Sequence, residues 1–182
     1  ESQPLNPFVN SGAILISSLI EEQDCQSPFD QILDFSRKIY NDPGITLDQE
    51  IYLSELETGD RNRSLAYYLK ARGTLNNDVT TSLDTYFRQC SMMVTCESPA
   101  NLGAVLGNDG IAPWNGERII SSQAATYTKS VMMTTGLYTE SGTYSVQIGV
   151  PTKSGVGGGL LAAAPSHCGI GIFSPALNPV GN

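Results

Sequence analysis

Lys153, Ser154 and Gly155 stand directly ahead of a valine and three more glycines. The run is K-S-G-V-G-G-G over 153–159, between two segments that read as strands. A phosphate-binding loop carries its lysine after the glycines, and a dinucleotide fingerprint needs a helix next, so neither matches. What fits is the cleft-lining strand of a serine hydrolase. There a glycine keeps the strand edge bare, so substrate can lie against backbone while a nearby N–H points at a developing oxyanion. A plain strand turn is the alternative. The nucleophile that accompanies such a strand is S-x-x-K, with serine attacking and lysine as its base. Lys38, Lys70 and Lys153 have Phe35, Tyr67 and Val150 three places earlier, and Lys129 has Thr126. A threonine hydroxyl is crowded by its own methyl, and Thr126–Lys129 reads as an ordinary pair on a helix surface. The 182 residues therefore contain no S-x-x-K.

Other nucleophile systems find little support. The one histidine, His167, lies in A-P-S-H-C-G, which reads as an exposed turn. Scarce histidine points any catalysis towards Lys, Tyr, Ser or a carboxylate. Cys25, Cys90, Cys96 and Cys168 match no zinc spacing. They read as reduced, mostly buried small hydrophobes. Net charge is -8, with no basic cluster to neutralise phosphates, which argues against nucleic acid. Hydrophobic residues make up 40% and mean hydropathy is -0.11, as in a soluble globular chain. No apolar run is long enough to span a membrane. The opening E-S-Q-P-L-N-P-F-V-N lacks the basic start and apolar centre of a signal peptide, so a cytoplasmic location is expected.

The elements that must position this chemistry divide by character. At this length one domain is the simplest reading, residues 1–182, with a helical lobe over about 7–136. N-S-G-A-I-L-I-S-S-L-I-E-E reads as a buried helix. Ser27 and Pro28 open the next, with Ile32, Phe35 and Ile39 at helical spacing. Leu65, Tyr68 and Leu69 share a face of a helix ending at Gly73. Ser98 and Pro99 repeat the Ser-Pro start, and a last helix closes at Gly136. Strands are expected over about 143–175. G-T-Y-S-V-Q-I-G-V alternates, and two glycine-rich apolar runs follow. Helices followed by antiparallel strands make an α+β class. A sheet this small needs further cover, which suggests missing material.

L-N-P-F-V-N-S-G-A-I, S-E-L-E-T-G-D-R-N, L-D-T-Y-F-R-Q-C-S, V-T-C-E-S, G-L-Y-T-E-S-G-T-Y-S-V-Q-I-G-V-P-T-K-S-G-V-G-G-G and F-S-P-A-L-N-P-V-G-N occur in this order. Together they resemble the serine-dependent glutaminases, of the β-lactamase and penicillin-binding protein fold, along essentially the whole chain. The resemblance places the family's Ser-x-x-Lys ahead of N-P-F-V-N. On that reading this is a C-terminal portion, without the first third or so and the final helix.

The resemblance also implies roles. Asn10 matches an asparagine that contacts bound glutamine, although an asparagine there could simply cap a helix. Glu55 and Asn62 match the pair that holds the amino acid end, with carboxylate on α-ammonium and amide on α-carboxylate; a solvated loop is the alternative. Asp60 and Arg61 are expected to pair and shape that loop. Tyr86 matches a pocket tyrosine, with one of Tyr86 and Phe87 facing the cleft and the other the core. Tyr138 matches the tyrosine beside the nucleophile, where a phenol can relay a proton. Val156 matches the residue whose backbone N–H completes the oxyanion hole, so its side chain is incidental, whereas bulk at Gly155 or Gly157 should harm. Lys153 takes an electrostatic or structural part. The implied reaction is hydrolysis of L-glutamine to L-glutamate and ammonia through a seryl ester, with no metal or organic cofactor. The implied assembly is a homodimer or homotetramer. A related hydrolase of lactams or peptides, and a non-catalytic amino-acid-binding module, are the other readings.

Without S-x-x-K the covalent route is closed to these residues alone. The 182-residue polypeptide should therefore release no ammonia from glutamine above its own Tyr138→Phe variant, by a coupled ammonia assay.

Overall fold

Short oxygen-bearing side chains set half of the α-helix starts in the computed structural model, which describes residues 6–182. Helix α1 (Asn10–Ser17) has Val9 at its N-cap with no side-chain bond. Helix α2 (Pro28–Ile39) opens as the Ser-Pro pair predicts, with Ser27 Oγ accepting the Asp30 N–H at 3.1 Å. Asp48 caps α3 (Gln49–Thr58) by accepting from Glu50 and Ile51. Gly59 separates it from α4 (Asp60–Ala71). Asp78 accepts from Thr81 and starts α5 (Val79–Cys90). Further on come α6 (Glu97–Gly107), α7 (Ser122–Thr135), capped by Ser121, and α8 (Ser141–Gln147). Each such cap satisfies an N–H that the helix cannot.

The residues group into two compact units. The first runs up to Phe35 and takes in Ile45–Met93; the second is Ser36–Gly44 with Val94–Asn182. In the first, α1, α3, α4 and α5 bury Ile14, Tyr52, Ala66, Leu69, Leu83, Tyr86 and Phe87. A two-residue ladder, β1 (Thr46–Leu47) with β2 (Met92–Met93), closes it. The second holds β3 (Thr152–Ser154), β4 (Gly159–Ala164) and β5 (Cys168–Phe173), antiparallel in that order. Lys153 pairs with Leu161, and Ala162 with Ile170. Helices α6 and α7 belong with these strands, so the division does not follow the helix-then-strand order of the sequence.

Glycine is required where α6 meets the sheet. A Cβ on Gly169 would overlap the Ala100 carbonyl oxygen, and one on Gly171 the Cys96 carbonyl oxygen. From the helix side, a Cβ on Gly103 would overlap the Ala162 oxygen, and one on Gly107 would lie 2.8 Å from the Ala164 oxygen. Backbone thus rests on backbone from both directions. Gly136 does the same at the end of α7, where a Cβ would overlap the Thr152 oxygen at the start of β3.

Several expectations change. The segment 143–147, expected as the first strand, lies in α8. Ser145 Oγ donates to the Met133 carbonyl at 2.6 Å, and the Tyr144 hydroxyl accepts from Thr152 at 3.1 Å. These tertiary bonds outweigh the alternating pattern, and Val146 is left 89% exposed. Helix α1 stops at Ser17, because Ser18 turns its hydroxyl onto the Leu15 carbonyl at 2.6 Å; Leu19 is then exposed. On α4 the buried face is Leu65, Ala66 and Leu69, with Tyr68 outside. All four cysteines are free, as expected, but exposed rather than buried. They sit at element ends and turns, where the burial habit of the residue type has no force.

Gly169→Ala should destabilise by about 1–3 kcal/mol, the cost of overpacking an interface that cannot open. Gly142→Ala, with open space around it in α8, should hold or gain stability. Urea unfolding midpoints compare the two, and equal midpoints would refute the backbone contact.

Candidate functional site

The first unit carries four of the residues the resemblance selects. Asn10 is the first residue of α1 and does not cap it. Its Nδ2 instead donates to Asn62 Oδ1 at 2.8 Å, joining α1 to α4. With Oδ1 engaged, the Asn62 amide presents its own N–H donors elsewhere, the polarity that a carboxylate requires. Glu55 and Asn62 stand on α3 and α4, not on a loop; Asp48 caps α3, and α4 begins at Gly59 without a side-chain cap. Asp60 pairs with Arg63 at 3.1 Å rather than with Arg61, since residues three apart meet on a helix and neighbours do not. Arg63 also donates to the Leu56 carbonyl, which pins the α3–α4 corner.

Tyr86 and Phe87 are both buried, at 8% and 1% exposure, with ring centroids 5.8 Å apart. The expected division of these neighbours between cleft and core is not found. The buried face of α5 is broad enough to take both, running through Ser82, Leu83, Thr85, Tyr86 and Phe87. Tyr86 still reaches a polar neighbour, Cys90. Packing around its sulfur pushes the Cys90 thiol up, a hydrogen bond with Tyr86 opposes this, and the Glu55 carboxylate adds to it. Tyr86 and Glu55 thus both act on Cys90 within this unit. Cys90 is a neighbour that the sequence did not single out.

The second unit carries the rest. K-S-G-V-G-G-G is the end of β3 and the tight turn into β4. Gly155 N–H donates to the Gly159 carbonyl at 2.8 Å, and Gly158 N–H to the Gly155 carbonyl at 2.9 Å. Gly158 has φ +92°, and a Cβ there would lie 2.9 Å from the Ser174 oxygen, so it is the glycine this turn cannot lose. Gly155 and Gly157 have room for a Cβ. Val156 projects from the tip, 73% exposed, and its N–H meets no acceptor among the described residues.

Tyr138 opens a 3₁₀ turn, Tyr138–Glu140, at φ +51°, a conformation rare for a tyrosine. Ser141 holds it: its hydroxyl donates to the Tyr138 carbonyl and accepts the Leu137 N–H, each at 2.9 Å. The Lys153 ammonium lies 5.0 Å from the centre of the Tyr138 ring and donates to the Ser154 carbonyl. Burial holds the Lys153 pKa below the ordinary lysine value. Gly181 lies between Tyr138 and Val156, since a Cβ there would be 3.7 Å from both Tyr138 Cε2 and Val156 Cγ1. Tyr138, Lys153 and the Val156 turn are thus one cluster.

Elsewhere the chemistry-bearing residues are engaged structurally. Lys129 pairs with Asp109 at 2.9 Å and not with Thr126. His167 is exposed in its turn, with Nδ1 2.7 Å from the Pro165 oxygen. A cavity of about 550 Å³ lined by Asn101, Asn108, His167 and Cys168 lies at the opposite end of β4 from Val156 and holds none of the selected residues. Among the described residues no group of three His, Cys, Asp or Glu could hold a metal ion.

The glutaminase family model matches residues 1–182. The chain belongs to the glutaminase family. Glutaminase 1 of Clostridium perfringens (strain 13 / Type A) is 59% identical over 182 residues, all of this chain and 59% of that protein. Glutaminase 2 of the same organism is 51% identical over 180 residues, 99% of this chain and 59% of that one. This glutaminase chain therefore spans about 59% of the length of these relatives. Among solved structures, the covalent complex between Bacillus subtilis glutaminase YbgJ and 5-oxo-L-norleucine matches with a TM-score of 0.91 at 37% identity. It covers 100% of this chain and 64% of that one. Probable glutaminase ybaS matches with a TM-score of 0.93 at 37% identity, covering 99% of this chain and 58% of that one. The fold is accordingly the α+β, β-lactamase-like fold of those structures.

Lys153 gives this cluster a pH signature. Its folded pKa is depressed, so between that value and the ordinary 10.5 the unfolded chain holds a proton that the folded chain has lost. Its destabilising contribution is full below the folded pKa and fades as pH rises towards 10.5. Lys153→Met should raise Tm at neutral pH, and the gain should shrink on the alkaline side. A pH-independent difference in Tm would contradict a buried ammonium.

Proposed function

We propose that this chain supplies the substrate-holding and oxyanion-stabilising parts of an enzyme that hydrolyses L-glutamine to L-glutamate and ammonia. The observation that carries the reading is the second-unit cluster, with a phenol and an ammonium beside a turn whose N–H is unused among the described residues. It occurs in a chain whose family is glutaminase. A serine hydroxyl outside these residues attacks the γ-carboxamide carbon of glutamine. The carbonyl oxygen becomes an oxyanion, and Val156 N–H donates to it. The serine proton passes, by way of the Tyr138 phenol, to the departing nitrogen, which leaves as ammonia. Water then adds to the glutamyl ester, its proton returns to the serine oxygen, and glutamate is released. The α-ammonium pairs with Glu55 and the α-carboxylate takes donors from Asn62, with Asn10 and Tyr86 completing the pocket. No step calls on a cofactor. The covalent 5-oxo-L-norleucine complex of the Bacillus subtilis relative is in keeping with an acyl-enzyme route.

The same reading places the protein in the cytoplasm as a homodimer or homotetramer. Four free thiols suit a reducing compartment, and among the described residues no helix is long and apolar enough to cross a membrane.

In the natural full-length protein, ammonia release should be specific for glutamine over a chromogenic β-lactam. Tyr138→Phe should lower kcat by about 10²–10⁴-fold, the usual worth of a positioned proton relay. Glu55→Gln should raise KM, and Val156→Ala should change little because only the backbone acts. Preferential β-lactam hydrolysis, or glutamate binding without turnover on calorimetry, would replace this assignment with another.

A further inference from the structure

The segment after β5 does more than end the second unit. Asn178 Oδ1 accepts the N–H groups of Val180, Gly181 and Asn182 at 3.1, 3.1 and 3.0 Å. Asn178 N–H closes the loop on the Asn182 carbonyl at 2.8 Å. The tight ring aims the Asn182 amide inward. Its Oδ1 accepts the Ser154 hydroxyl at 2.6 Å, on the K-S-G strand. Its Nδ2 donates to the Leu137 carbonyl at 3.2 Å and to Glu140 Oε2 at 2.6 Å, on the two sides of Tyr138. Asn178 Nδ2 donates to the same Glu140 oxygen at 2.9 Å. One side-chain amide thereby ties the strand that carries Lys153 and leads into the Val156 turn to the turn that carries Tyr138.

We propose that Asn182, with Glu140 and Ser154, is a positioning clasp that holds the Tyr138 phenol and the Val156 N–H in register for acyl transfer. The proposal rests on the glutaminase reading above. Tyr138 needs such support: a tyrosine at φ +51° leaves that conformation unless its neighbours over-determine it. Ser141 fixes the turn internally, and the Ser154 N–H on the Gly136 carbonyl at 3.1 Å ties β3 to the chain just before it. Asn182 adds the tie that reaches both sides of Tyr138, and a Cβ on the adjoining Gly181 would meet both Tyr138 and Val156 at 3.7 Å. Polarity also matters. Glu140 accepts two amide N–H groups, and Asn182 offers donors on one side and an acceptor on the other. A carboxylate at position 182 would keep the Ser154 bond but face Glu140 with like charge and leave the Leu137 carbonyl without its donor.

The test is steady-state glutamine hydrolysis by the natural full-length protein. Asn182→Asp should lower kcat about 10–100-fold, the cost of misplacing reacting groups by a fraction of an ångström or more. KM should stay within about threefold, since the residues assigned to the amino acid end lie in the first unit. Asn182→Asp combined with Glu140→Gln should recover part of the lost kcat. The amide introduced by the second change can donate to the carboxylate introduced by the first, and the like-charge repulsion is gone. A variant weakened only in structure would lose Tm without that reciprocal recovery of kcat. If Asn182→Asp does not fold, Glu140→Ala, altered at a solvent-accessible carboxylate, should show the same fall in kcat. Unchanged kcat in the folded variants, or a rise in KM in place of a fall in kcat, overturns the clasp while leaving the reaction standing. Wild-type protein without glutaminase activity overturns the reaction and the clasp with it.

Discussion

The second unit depends on backbone meeting backbone. Gly103 and Gly107 on α6, and Gly169 and Gly171 on β5, remove side chains from both partners of one interface. Such an approach gives close dispersion contact but no tolerance, because no side chain can rotate away to relieve an added methyl. The consequence reaches the site through the strands. β5 is fixed against α6, β4 is paired to β5 over six residue pairs, and the K-S-G-V-G-G-G turn leads directly into β4. Gly136 adds a second fixed point, setting the end of α7 on the Thr152 carbonyl one residue before Lys153. Loop residues thus gain the precision of the elements they join.

Against that rigid frame, two residues of the turn cluster sit in less favourable states. Tyr138 occupies a left-handed conformation, and the Lys153 ammonium is partly desolvated over an aromatic ring. Both cost free energy, of order 1–3 kcal/mol for such a backbone outlier. Each is counteracted locally: the Ser141 hydroxyl bonds both flanks of the Tyr138 peptide, and the Ser154 carbonyl and the Tyr138 ring face the ammonium. The first-unit residues are of another kind. Glu55 and Asn62 stand on ordinary α-helices, α3 and α4, where fixed geometry costs little.

Legibility in the sequence followed the range of the interaction. Ser27 and Pro28 announce α2 because a cap acts over three residues, and Gly136 is visible as the end of α7. The α+β class was readable from the change of composition after Gly136, while the candidate site residues rest only on their matches to the family segments. The alternation of 143–150 misled, since α8 is decided by Ser145 reaching Met133, 12 residues back. A broad buried face on α5 overrode the expected division between Tyr86 and Phe87. Asn182 was unreadable: its partners lie 28, 42 and 45 residues away, and a terminal asparagine carries no pattern of its own.

On the proposed assignment, Glu55 and Asn62 meet the amino acid end of the substrate, which accounts for amides and a carboxylate where apolar contacts would be simpler. A free amino acid differs from a peptide or lactam chiefly in its unblocked α-ammonium and α-carboxylate. A pocket of hydrophobic contacts discriminates weakly between ligands that share a side chain. A pocket whose polar groups need those two charges rejects a ligand lacking them, because its own groups are then left unpaired. The Asn10–Asn62 bond is in keeping with that assignment. It commits the Asn62 carbonyl oxygen internally and leaves that amide's N–H groups to donate to an acceptor such as a carboxylate. On that assignment, selectivity for a free amino acid follows from side chains held on α1, α3 and α4.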